Sequence, residues 1–246
     1  MGSGLNDVRV LLLALLPAFT FAPAAAADSD GDVMFEKALA ECPGAAKFIL
    51  EGHDSVEAIN ASKQSEAAQQ KAARPVTLPD VRDELLRMSG EDQAARNAWM
   101  LQDDETTSKR LEEVDRRNLP RIKRIIEQHG VLTPEMVGQD GKQAAWLLVQ
   151  HSDRDPAFQM KVLESLIAAK QINGQELALL TDRVLRAQHK PQRYGSQFMP
   201  DEGGRQMPQP IEEPVDKVDE RRAQLGLMPL ADYGCMIEAT SKPPRP

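Results

Sequence analysis

Between Asp140 and Leu185 three apolar stripes at helical spacing follow one another with only a few residues between them, and this constrains the fold more than any other feature of the chain. Asp140 to His151 carries Ala144, Ala145, Leu147, Leu148 and Val149; Asp155-Pro156 opens a stripe of Phe158, Val162, Leu163, Leu166 and Ile167; Asn173-Gly174 opens a third with Leu177, Leu179, Leu180, Val184 and Leu185. Connections this short make consecutive helices antiparallel neighbours.

The pattern extends upstream with weaker punctuation. Pro79-Asp80 opens a segment in which Val81, Leu85, Leu86 and Met88 share a face, and Ser89-Gly90 is expected to end it. Glu91 to Arg117 is polar, with one dense stripe at Ala94, Ala95, Ala98, Trp99 and Leu101. Asn118 is expected to cap a further helix that has Pro120 in its first turn, Ile122, Ile125 and Ile126 inward, and Gly130 past its end. Aromatic residues make up only 4% of the chain, so the core must be built from Leu, Ile, Val, Ala and Met. The expected fold is mainly α, a compact multi-helix domain, bundle-like or orthogonal, over residues 77–235. Its one irregular region is a long Pro/Gly-rich loop or short hairpin at about 190–214, followed by a helix over Val215–Leu225 stopped by Gly226.

Residues 28–76 read as an N-terminal helical arm with short stripes at Phe35, Leu39, Phe48, Ile49 and Val56, and residues 236–246 as a disordered tail. The apolar run Val10–Phe21, preceded by Arg9 and followed by Ala25-Ala26-Ala27, has a signal-peptide layout, with cleavage expected near Ala27. It is shorter than the roughly 20 residues a spanning helix needs. No membrane span is expected after cleavage, and the protein is expected to be periplasmic or secreted.

Removal of residues 1–27 takes one Asp and one Arg, so the mature chain keeps the formal charge of -8. Its Lys and Arg residues are interleaved with acids, which argues against nucleic acid or anionic lipid as a partner. The only cysteines, Cys42 and Cys235, are expected to form a disulfide in an oxidising compartment. On the chain-entropy account, closing so long a loop contributes about 5 kcal/mol.

Zinc-type histidine spacing, a phosphate-cradling glycine loop, a serine elbow and a reactive cysteine pair are all missing, and neither metal nor cofactor is expected. The candidate site rests instead on polar residues set among apolar stripes, where a polar group must be paired or used. In "LLVQHSDRDPAFQ", Gln150 and His151 end a buried helix and Asp153 and Asp155 follow. The helix C-terminus and the carboxylates are expected to keep the His151 pKa near or above its ordinary value, suiting it to acid or base catalysis; capping of its helix is the plainer reading. Asp155 reads as the cap of the next helix. Asp182 and Arg183 lie within a helix and must each find a partner elsewhere, in an ion network or a ligand site. In "PQRYGSQF", Gln192, Tyr194, Ser196 and Gln197 surround Gly195, either as ligand contacts or as a turn bonded to its own backbone. Asp92 and Arg96 are spaced for an exposed i, i+4 pair, and Asp115 and Asn118 share a helical face.

The segments "DQAAR", "DRRN", "VGQDGKQAAWLLVQHSDRDPAFQ", "LLTDR", "PQRYGSQ", "PI" and "VDERRAQLGL", taken in this order, resemble a bacterial family known only as a domain of unknown function, from about Leu85 to Tyr233. The resemblance points to Asp92, Gln93, Arg96, Asp115, Arg117, Asn118, Gln150, His151, Asp182, Arg183, Gln192, Tyr194, Gly195, Gln197, Arg221 and Arg222, and implies no role for any of them.

Two functions compete. In the first, His151 is an acid or base in a polar cleft where Gln150, Asp182, Arg183, Gln192, Tyr194, Gln197, Asp115 and Asn118 bind a small polar or charged ligand, in a hydrolase or transferase. In the second, the chain is a non-catalytic interaction or inhibitor module whose partner is an envelope protein. A purely structural polar network is the third account of the same residues.

Overall fold

A computed structural model describes residues 29–51, 75–102, 104–202, 205–208 and 210–240; the signal-peptide reading of residues 1–27 lies outside them. The elements are α1 (Ser29–Glu41), α2 (43–51), α3 (Pro79–Gln102), α4 (Glu105–His129), α5 (Pro134–Gln150), α6 (Pro156–Ala168), α7 (Gly174–Ala187), β1 (Phe198–Pro200), β2 (Gln206–Pro208), α8 (Val215–Gln224) and α9 (Leu230–Thr240). The fold is mainly α, as the stripes predict. The chain divides into two compact units, Arg74–Lys190 and a second that joins the N-terminal residues to 191–246.

In the first unit α3 packs on both α4 and α5, and α6 packs on α7. Its core is formed by Leu85, Ile122, Val137, Leu148, Val149, Phe158, Leu163 and Leu180, most of them sealed from solvent. Two expected boundaries are wrong. Ser89-Gly90 does not end α3: the Ser89 hydroxyl donates back to the Leu86 carbonyl at 3.1 Å, and the buried stripe runs through Leu85, Met88, Asp92 and Ala95. Nor does Asn118 cap a helix. It is buried in the middle of α4, which starts from Asp104 in a capping box with Thr107 and carries Pro120 inside it. Packing of Val114, Asn118, Ile122 and Ile125 on one face outweighs the backbone hydrogen bond that Pro120 removes.

The continuous part of α5 begins near Asp140, as its stripe implies, because Gly138 breaks the helical path with φ +75°. A Cβ at Gly138 would lie 2.6 Å from Asp140 Oδ1, in the space that the Asp140–Arg82 ion pair occupies. Asp155 caps α6 by accepting from the Phe158 amide at 3.0 Å, and Asn173 and Glu176 form a capping box on α7.

In the second unit α1 packs against α9, and Cys42 and Cys235 form the expected disulfide, with Cα atoms 5.8 Å apart. Phe35, Ala38, Cys42, Ala45, Met228, Tyr233, Met236 and Ile237 make its core. Helix α9 therefore continues to Thr240, past the expected start of the tail at 236, because Met236 and Ile237 are buried against α1. The region at 190–214 contains a short antiparallel hairpin pairing Phe198 with Pro208, Met199 with Met207 and Pro200 with Gln206.

Candidate functional site

Helices α3 and α4 run antiparallel, and three ion pairs, Glu84–Arg121, Glu91–Arg117 and Arg96–Asp115, step along their seam in opposite directions. Near the last of these steps polar residues interrupt both apolar stripes, which resume at Ala95 and Val114. Asp92 takes the place in α3 that follows Leu85 and Met88 and is 1% exposed. The end of α5 brings His151 to the same point, so that His151 Nδ1 lies 2.6 Å from Asp92 Oδ2.

That distance, with Asp92 ionised, favours one tautomer. Two acceptors would not approach so closely, so Nδ1 carries the proton and donates it to Asp92. The Arg96 Nε hydrogen points between the same nitrogen, at 2.9 Å, and Asp92 Oδ2, at 3.2 Å, and Nη2 donates to Asp92 Oδ1 at 3.2 Å and to Asp115 Oδ1 at 2.6 Å. Nε2 of His151 has no hydrogen-bond partner among the described residues. Asp92 is thus buried and Arg96 part-buried, and they are not the exposed pair their spacing suggests.

Burial sets the protonation states. It depresses the His151 pKa to about 4; the bond to Asp92 works the other way, and the cations of Arg96 and Arg183 add to the depression. The expectation of an ordinary or raised value is therefore wrong, because the desolvated ring outweighs the helix dipole and carboxylates. Burial would raise Asp92, but the His151 hydrogen bond and Arg96 hold it below the usual carboxylate range. Asp115 goes the other way: burial together with the charges of Asp92 and Asp153 overcomes Arg96 and Arg183 and pushes it up to about 6. The cluster therefore contains a neutral imidazole and a carboxyl that is half-protonated near pH 6.

The remaining expected site residues divide by unit. Arg183, from α7, grips Asp153 with two bonds of 2.6 and 3.0 Å, which offset burial and keep Asp153 below the usual carboxylate range. Asp182 beside it is fully buried, as is Gln159, whose amide donates to the Val149 and Gln150 carbonyls at 3.1 and 2.8 Å and fixes the turn after His151. Gln150 is buried, and Asn118 is buried one turn below Asp115. Gln192, Tyr194, Ser196 and Gln197 belong to the second unit. There the Gln192 side chain donates to the Gln197 carbonyl at 3.0 Å and accepts from the Gln197 amide at 2.7 Å, which is the turn bonded to its own backbone. Arg222 is buried beneath it, donating to the carbonyls of Met228 and Tyr194 at 2.7 and 2.8 Å, with its guanidinium 4.8 Å from the Tyr233 ring centre.

Residues 79–242 match the model of a Family of unknown function (DUF6624). The chain belongs to this family. The match begins at the first residue of α3 and so includes every member of the Asp92–Arg96–Asp115–His151 cluster of this DUF6624 protein. Neither curated proteins nor solved structures provide a match.

The residues themselves place His151, Asp115 and Arg183 in a site; Asp92 and Arg96 are marked only by the family resemblance, being spaced for a surface pair, and Asp153 is not assigned to it. A signal for Asp92 exists, since it continues the Leu85–Met88 stripe at helical spacing; the presumed helix end at Gly90 hid it. Nothing local marks Arg96 as buried. Among the described residues no group of three or more His, Cys, Asp or Glu side chains is arranged to hold a metal ion, and no helix is long and apolar enough to cross a membrane.

Proposed function

We propose that the cluster is the acid–base centre of a hydrolase or transferase acting on a small polar or charged ligand. One observation carries this: a buried imidazole held by Asp92 at 2.6 Å through Nδ1, with Nε2 left unbonded. A neutral His151 accepts a proton at Nε2 from water or a substrate hydroxyl, and Asp92 stabilises the imidazolium that results. Asp115, with its pKa near 6, supplies a proton to the leaving group. Arg96 holds both carboxylates in place and is a positioning residue. We further propose export to the periplasm or medium, which the Cys42–Cys235 disulfide favours.

The test is turnover by the purified protein on a panel of chromogenic esters, amides and phosphoesters. His151→Ala is expected to lower kcat by at least about 100-fold. If the wild-type protein turns over nothing, and Asp92→Asn and His151→Ala change only thermal stability, the network is structural. The interaction-module reading has its own support in the Met199–Met207 cross-strand pair, two residues 46% and 40% exposed. It expects Met199→Ser with Met207→Ser to abolish capture of an envelope protein and leave the fold intact.

A further inference from the structure

One helical turn below Asp92 and Asp115, the seam between α3 and α4 opens into a cleft of about 370 Å³. Arg87, Arg117, Arg121, Arg124, Glu84 and Asn118 contribute to its lining. With Glu91, which pairs with both Arg87 and Arg117, the cleft holds four guanidiniums against two carboxylates and carries a local charge of +2 on a chain whose formal charge is -8. Glu84 is committed to Arg121, which together with the nearby Arg87 and Arg124 holds its carboxyl below the usual range in spite of burial. Arg124 itself is exposed and has no ion-pair or hydrogen-bond partner among the described residues. At the floor, Asn118 is 6% exposed and its Nδ2 has no acceptor. A buried donor left unsatisfied is a cost that native structures rarely carry without a reason.

We propose that this cleft binds the phosphate of a phosphorylated small molecule. Guanidinium forks match phosphate oxygens with paired hydrogen bonds, and a local excess of two positive charges balances a phosphate monoester dianion. Arg124 supplies the uncommitted fork, Arg117 and Arg121 flank it, and a small shift of the Asn118 amide toward a phosphate oxygen would pair its Nδ2. Asn118 lies three residues from Asp115 on the same face of α4, and Met88 lies four residues from Asp92 on α3. A phosphate seated here therefore places the remainder of its molecule beside the Asp115 carboxyl. That last step, which makes the phosphate compound a substrate, rests on the acid–base reading; the anion site does not.

The experiment is calorimetric titration of the full chain with inorganic phosphate and with phenyl phosphonate, at pH 7.5 and constant ionic strength, with chloride as the reference anion. Wild-type protein is expected to bind both. Arg124→Met, at an exposed position where folding is not at stake, is expected to weaken both at least about tenfold, as removal of a charged hydrogen bond does. Asn118→Leu is expected to weaken them as well, with a thermal midpoint measured beside it to show that it has folded. No binding by wild-type protein, or binding that Arg124→Met leaves unchanged, overturns the site. Neither result depends on turnover, so it leaves the acid–base reading to its own assay, and a phosphate-binding protein without turnover refutes that reading alone.

Discussion

Asp115→Asn separates an acid held in reserve from an ordinary surface carboxylate. The side chain is 23% exposed, touches Arg96 Nη2 at 2.6 Å and titrates near 6 against a reference of 3.8. Because its pKa in the folded protein is raised, the folded state binds the proton more tightly than the unfolded chain does. Between about pH 4 and 6 the folded state therefore carries more of this proton, and stability falls as pH rises through that window. A shift of about two units corresponds to about 3 kcal/mol, fully incurred above pH 6 and absent below 4. His151 has the opposite sign: its folded pKa of about 4 lies below the unfolded 6.5, so its contribution is present above 6.5 and lost as pH falls toward 4. That also amounts to about 3 kcal/mol, so the two slopes largely cancel in the wild-type protein. Asparagine keeps the shape and the acceptor for Arg96 while removing the titration. Urea unfolding at half-unit steps from pH 4 to 7.5 should show the Asp115→Asn protein gaining about 3 kcal/mol on the wild type across that range, with most of the gain between 4 and 6. A difference curve that is flat, or that falls with pH, would show that Asp115 ionises normally and would remove the proton donor from the proposed mechanism.

Cys42→Ser together with Cys235→Ser is expected to cost about 2–5 kcal/mol, read as a lowered midpoint that matches the wild type under reductant. Gly195→Ala meets two obstacles, a φ of +63° and a Cβ only 2.7 Å from Leu230 Cδ1, and should lower stability by about 1 kcal/mol or more by chemical denaturation. Arg222→Met leaves the buried carbonyls of Met228 and Tyr194 without their donor and should cost about 2–4 kcal/mol on the same assay, with no effect on His151-dependent turnover. Leu180→Ala, at a fully buried position of the Arg74–Lys190 core, should cost about 2–5 kcal/mol.

The helices from 134 to 187 were legible because each combined a broad stripe with an explicit start signal, and Asp155 and Asn173 cap in the structure as their residue types imply. The α3–α4 hairpin was misread where a local rule met a tertiary one. Glycine after serine usually closes a helix, but Gly90 has no left-handed conformation to favour a stop, and α3 has Asp92 and Ala95 still to bury. Pro120 similarly suggested a first turn, whereas α4 had begun at Asp104, in a capping box with Thr107 that sequence reading passed over. The disulfide followed from there being two cysteines and no more. The burial of Asp92 and the partial burial of Arg96 and Asp115 depend on three helices meeting, and no window along one helix contains that.

Charges are costly at the end of a helical core, and an apolar replacement of similar volume would often leave such a protein as stable or more so. Leu85 and Met88 on α3, with Ile122 and Ile125 on α4, show that this seam can be filled with hydrocarbon. One turn further on, Asp92 interrupts one stripe and Asp115 stands beside it on the other helix, with Asn118 a turn below, and α5 contributes His151 there. Such a coincidence on three elements is hard to ascribe to solvent exposure, because Asp92 is 1% and His151 8% accessible. It is not well explained by stability either. Asp115 is destabilised by its surroundings, and an imidazole that burial pushes down to about 4 adds no favourable charge to the network. Places where local pattern and energetics are both set aside are where a fold gives up stability for chemistry. The proposed proton-transfer centre draws on this pairing, an oriented neutral imidazole beside a carboxyl whose pKa of about 6 leaves about a tenth of it protonated at pH 7.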